Sequence, residues 1–181
     1  MTGLIIAVIV VLAVLWMIST QRRLVMMDEN INNAMSQIGV QMSSRWDALL
    51  ALLDLTKGYS EHEYKTISDT IKMRTSINST STPAEADAQE NMITGALGKI
   101  MAVAESYPEL KADASYIKTM DSVNEYENMV RRSRLIYNDS VTKLNRTIRM
   151  FPVSLVAGIF GVTSREYLAA DDKKSDMPTM R

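Results

Sequence analysis

Leu4-Ile5-Ile6-Ala7-Val8-Ile9-Val10-Val11-Leu12-Ala13-Val14-Leu15-Trp16-Met17-Ile18 is an unbroken apolar run, closed by Ser19-Thr20-Gln21-Arg22-Arg23. No side-chain charge falls between Met1 and Thr20, so the segment approaches the ~20 residues that a helix needs to cross a bilayer. A cleaved secretory signal would begin with basic residues and end in a small-x-small site. Here no Lys or Arg precedes the run, and Ile18-Ser19-Thr20-Gln21 is a poor site. Residues 1–20 therefore read as a transmembrane anchor. Arg22 and Arg23 mark its inner flank, which places the N-terminus outside and all that follows in the cytoplasm. Trp16 sits where an interfacial aromatic anchor would.

Beyond the anchor the apolar residues adopt helical spacing. Leu24, Ile31, Met35, Ile38, Met42, Leu49 and Leu52 recur in steps of three and four, the seam of helix A over 22–57, continuous with the anchor. Gly58 ends it, and Ser60 with Glu63 offers a capping box for helix B over 61–79, with Tyr64, Ile67 and Ile71 on its face. Asn78-Ser79-Thr80-Ser81-Thr82-Pro83 is polar, and Pro83 opens helix C over 84–106, which breaks at Tyr107-Pro108. Helix D over 113–150 carries the longest seam: Tyr116, Met120, Val123, Glu127, Val130, Arg134, Tyr137, Val141, Leu144, Ile148. The fold class is all-α: a transmembrane helix running into an up-and-down four-helix bundle with coiled-coil-like seams over 21–150. A sticky apolar segment, 151–168, follows helix D, and the polar 169–181 reads as a disordered tail.

The composition excludes more chemistry than it offers. With no cysteine there is no thiol nucleophile, disulfide or cysteine-ligated metal. The net charge of −1 gives no basic excess for nucleic acid. His62-Glu63 opens like a zincin motif, but the second histidine that motif needs four positions on is Thr66. His62 is the only histidine, and neither a nucleophile elbow nor a phosphate-cradling glycine loop occurs. The acidic residues Glu61 and Glu63 suit a helix N-terminus. Asn78-Ser79-Thr80, Asn138-Asp139-Ser140 and Asn145-Arg146-Thr147 match a glycosylation sequon that is common by chance. No catalytic, cofactor-binding or metal-binding residue is assigned, and no enzyme activity is expected.

Several ordered blocks resemble one family. They are Asn33-Ala34-x-Ser36-Gln37-Ile38, Arg45, Asp47, Lys57-Gly58-Tyr59-x-x-His62-Glu63, Ala102-Val103-Ala104-Glu105-x-Tyr107-Pro108-x-Leu110-Lys111-Ala112, Arg134-x-x-Tyr137-Asn138, and Phe151-Pro152-x-x-Leu155-x-Ala157-x-x-Phe160-Gly161. They are similar to the LemA family of bacterial membrane proteins, from the anchor to Tyr167. The pattern departs at Gly39, Trp46 and Leu50. The resemblance implies a four-helix bundle anchored in the bacterial cell membrane with its N-terminus outside. It implies no settled activity. Members are often encoded near a membrane-bound zinc metalloprotease.

Two functions of different classes follow: a self-assembling membrane scaffold or organiser, and a regulatory or adaptor subunit of a membrane enzyme such as an envelope quality-control protease. Helix rise places Phe151 back at the height of Arg22, so Phe151, Leu155, Ile159 and Phe160 are expected at the bilayer surface. Short helices B and C would leave the lower layer bare. Ile31, Met35, Ile38, Tyr137, Val141, Leu144 and Ile148 are therefore expected to meet other copies in a homo-oligomer. The seam charges Arg45, Arg74, Glu127 and Arg134 are expected to form a structural network, with Glu127 accepting from Arg45, Arg74 or both, and Arg134 near Asp47 or a neighbouring subunit.

Overall fold

The computed structural model describes residues 1–169. Six helices form, and no strand occurs among the described residues: α1 (Thr2–Thr56), α2 (Glu61–Lys72), α3 (Pro83–Ser106), α4 (Pro108–Lys111), α5 (Ala114–Arg149) and α6 (Val153–Ile159). At ~1.5 Å per residue α1 is roughly 80 Å long, carrying the apolar segment and the bundle's first wall on one axis. Its N-terminal part is long and apolar enough to cross a membrane and buries nothing against the rest of the chain. Burial starts at Thr20 and Leu24 and then follows the seam through Ile31, Met35, Ile38, Met42, Leu49 and Leu52.

Cross-helix pairs establish an up-down-up-down order. Going up α1, Asp28 meets Arg165, Arg45 meets Glu90 of α3 and Glu127 of α5, and Asp54 meets Tyr64 of α2. Tyr59 and Tyr107 meet at the far end with tilted rings whose centroids are 5.3 Å apart, joining the turn after α1 to the turn after α3. α1 packs on α2, α3, α5 and α6, and its most extensive partner is α5.

Helix ends follow local chemistry. Thr82 and Glu85 form a reciprocal capping box with Pro83 in the first turn of α3. Asp113 caps α5 by accepting from the amides of Ser115 and Tyr116, while Arg146 and Arg149 lie in its last turn, where the dipole favours cations. The box expected at Ser60 is not made: Ser60 is the N-cap of α2 but accepts no side-chain cap bond. α2 also stops at Lys72 rather than at residue 79. From Thr75 to Ser79 the residues are β-branched or short and polar, types that compete with the helical backbone. Thus Asn78 Oδ1 accepts from Thr80 N at 2.9 Å, and Gln89 exchanges two bonds with Thr75.

This irregular stretch lies so close to α1 that only glycine fits beneath it. A Cβ on Gly39 would stand 1.9 Å from the Ile77 carbonyl oxygen. After α6 the chain reverses at Gly161, which has φ of 66°, and runs back along α5 to Ala169. The expected tail, 169–181, lies outside the described residues apart from Ala169.

Candidate functional site

Two side-chain assemblies and one helix surface carry what this fold can do. The first assembly centres on Arg45, which is 1% exposed in the core of α1. It donates to Glu90 of α3 and, at 3.1 Å, to Glu127 Oε2 of α5. Glu127 also receives Arg131 from one turn on at 3.4 Å. One buried guanidinium thereby ties three helices at a single height. Nε of Arg45 and Oε2 of Glu90 are buried without a hydrogen-bond partner among the described residues.

Arg74 does not join this cluster: it pairs with Asp47 at 3.0 Å on the surface, because α2 ends before it and the chain there runs outside the core. Arg134 pairs with Asp87 of α3 at 2.7 Å, not with Asp47. Its donated hydrogen bond goes to the Ala169 carbonyl at 2.8 Å. Glu90 and Asp87 lie on α3, whose height beside α1 could not be read from any one helix's pattern.

The second assembly holds the returning segment 165–169. Asn145 both donates to the Arg165 carbonyl and accepts from the Arg165 amide, each at 2.9 Å. Asn138 treats Leu168 the same way, at 3.3 and 3.0 Å. Tyr137 donates its hydroxyl to the Glu166 carbonyl at 3.2 Å, and the Ala169 amide donates to Asp87 Oδ2. Arg165 Nε and Nη2 grip Asp28 at 2.8 and 3.0 Å, with Nη2 also on Asn32 at 3.0 Å. Burial pushes the Tyr137 phenol above the ordinary tyrosine range despite the nearby Arg165 cation, so it remains a donor. The sequence carries a signal for this, two asparagines at heptad spacing in α5, but their match to a common sequon says nothing of the backbone they bind.

This segment removes the expected oligomer interface. Ile31, Met35, Ile38, Tyr137, Val141 and Leu144 are all buried within one copy, and Ile148 is half-buried. The loop at Ser79–Ser81 and the returning Arg165 converge over Ile31, Met35 and Tyr137, leaving a cavity of about 220 Å³. The lower layer is not bare, because backbone from two irregular segments covers what helices B and C do not reach.

The helix surface is α6. Val156 and Ala157 are buried against the bundle, and the helix packs on both α1 and α5. Phe151, Leu155, Ile159 and Phe160 point away, 80, 60, 67 and 49% exposed. His62 and its acidic neighbours lie in the first turn of α2, where the Thr66 hydroxyl bonds back to the His62 carbonyl at 3.0 Å. No group of three metal-ligating side chains occurs among the described residues.

An apolar helix that extends into an antiparallel helical bundle, with charge clusters inside and no assembled catalytic or metal centre among the described residues, defines a helical protein with one candidate membrane span. The family is specific: residues 34–181 match the LemA family model, and the chain belongs to the LemA family. It is 29% identical over 137 residues to Protein LemA of Metamycoplasma hominis, a match covering 73% of this chain and 61% of that one. It is 35% identical over 72 residues to the magnetosome proteins MamQ 1 and MamQ 2 of Paramagnetospirillum magneticum, covering 40% of this chain and 26% of each of theirs. The matched region thus spans about three fifths of the LemA relative and a quarter of the magnetosome proteins.

Proposed function

We propose that this chain is a non-enzymatic, single-pass protein of the bacterial cell membrane that self-assembles and acts as a membrane-associated scaffold. Its N-terminus faces outward, its bundle stands in the cytoplasm, and α6 lies on the inner bilayer surface. One observation carries this reading. α6 packs at the base of α1 and α5, and its four large apolar side chains face outward. The returning chain that follows it is pinned at Asp28, only a turn or so above Leu24, where burial in the bundle begins. An apolar surface at that height suits a bilayer interface. Arg22 and Arg23, just past the apolar part of α1, and Arg146 and Arg149, in the last turn of α5, suit anionic headgroups.

The test is to reconstitute full-length Phe160→Trp in brominated lipid, in a Trp16→Phe background, with buried Trp46 as the unquenched reference. Quenching of the introduced indole supports the membrane seat, and its absence removes it. Differently tagged copies in the same vesicles should co-purify. Copies that separate cleanly at every density would leave the regulatory-subunit reading in its place.

A further inference from the structure

The 165–169 segment is held in a manner that ignores most of its sequence. Asn138 and Asn145 address the backbone of Leu168 and Arg165 through both amide groups, Tyr137 addresses the Glu166 carbonyl, and Arg134 the Ala169 carbonyl. Seven residues of helix rise about 10.5 Å, a distance that three residues of chain reach only when nearly extended, at about 3.3–3.6 Å each. The pairing of Asn145 with Arg165 and Asn138 with Leu168 therefore requires an extended peptide running antiparallel to α5. Two side chains add selectivity. Leu168 is 2% exposed and joins the core, and Arg165 enters the Asp28 and Asn32 clamp. The groove thus reads an extended Arg-x-x-Leu segment, one example of which this chain carries itself.

We propose that the groove is a docking site for the Arg165–Leu168 segment of a second copy, so that neighbouring chains exchange their return segments. This inference rests on the self-assembly reading above and supplies its contact. Copies anchored in one bilayer stand at a common height, so each groove lies level with the segment of its neighbour, which raises the effective concentration of the exchange. Gly161 is a ready hinge, its φ of 66° being one that glycine adopts without strain. From Ile159 to Arg165 the chain can extend to about 20 Å, the width of two helices. The docked bonds are the same whether the segment comes from its own chain or from the next, the usual basis of an exchanged element.

The test uses two full-length variants with different tags in the same vesicles. Asn138→Ala/Asn145→Ala disables the groove and keeps the segment; Leu168→Arg disables the segment and keeps the groove. Wild-type copies should co-purify, neither variant should co-purify with itself, and the mixture of the two should recover pairs. As a second measurement, a labelled peptide of residues 163–169 should bind the Leu168→Arg protein and bind at least about tenfold more weakly once both asparagines are removed, four hydrogen bonds being lost. Helical circular dichroism checks that each variant is folded. If Leu168→Arg unfolds the chain, Leu168→Ser takes its place. Variants that each self-associate like wild type, or a mixture that fails to recover pairs, overturn the exchange while leaving self-assembly standing. Wild-type copies that never associate overturn both.

Discussion

Arg165 and Asp28 meet as a two-point ion pair, with Nε to Oδ1 at 2.8 Å and Nη2 to Oδ2 at 3.0 Å, across 137 positions of sequence. The pair closes the base of the bundle by tying the last described segment to the first helix. Hydrogen bonding to the carboxylate holds the guanidinium above its already high ordinary value, so it is charged at every accessible pH. Both side chains are more than a third exposed, and solvent screening reduces the pair to at most about 1 kcal/mol. Arg165→Ala should therefore leave the melting temperature nearly unchanged. It should, however, lower amide-exchange protection at residues 165–169, by an amount that shrinks in high salt. Equal protection in wild type and variant at low salt would show that the pair does not hold the segment.

Arg45 has two carboxylate partners, so losing either leaves the other. Glu90→Gln or Glu127→Gln alone should cost on the order of 1 kcal/mol. Together they orphan a buried guanidinium and should cost about 3–5 kcal/mol, far more than the sum of the single changes. Arg45→Glu, which places a third carboxylate in the cluster, should be worse than either. Additive denaturation energies in the double variant would mean that Arg45 is not the shared partner.

Gly39 and the glycines of α3 should respond with opposite signs. Gly39→Ala drives a methyl into the Ile77 carbonyl and should destabilise by about 1–3 kcal/mol. Gly95→Ala and Gly98→Ala meet nothing within 4 Å in a helix interior. Each should stabilise by about 0.5–1 kcal/mol through helix propensity. Thermal melts of the three variants separate the two cases; a neutral Gly39→Ala would place the 73–78 stretch farther from α1.

Alkaline pH should loosen the return segment through Tyr137. Because burial raises this phenol in the folded state, the unfolded tyrosine ionises first as pH rises past its ordinary value of about 10. The contribution is complete below that value and declines as pH climbs through the folded one. Tyr116 is raised in the same direction, so total stability is a blunt measure. The sharper one is protection of the Glu166 region. Tyr137→Phe should lower it at neutral pH and flatten its alkaline decline, and an unchanged decline would assign the effect to another group.

The amino-acid sequence determined the two long helices, α1 and α5, whose side chains repeat regularly over many turns. The seam residues of α1, and Tyr116, Val123, Val130, Tyr137, Val141 and Leu144 of the α5 seam, are buried where their three-and-four spacing places them, and the charge-free run before Arg22 extends into the same helix, because helical periodicity and bilayer length are local properties. It also brought Arg45 and Glu127 to one height by counting helix rise. What it could not determine is how the irregular segments lie. Arg45 acquired Glu90, Arg74 moved out to Asp47, and Arg134 went to Asp87 because relative rotation and close approach of helices arise only on packing. The return segment has no periodic apolar pattern at all, since its binding uses peptide groups that every sequence possesses. Only tertiary structure could set Asn138 and Asn145 against that backbone, and in doing so it buried the face that helix lengths alone had left open.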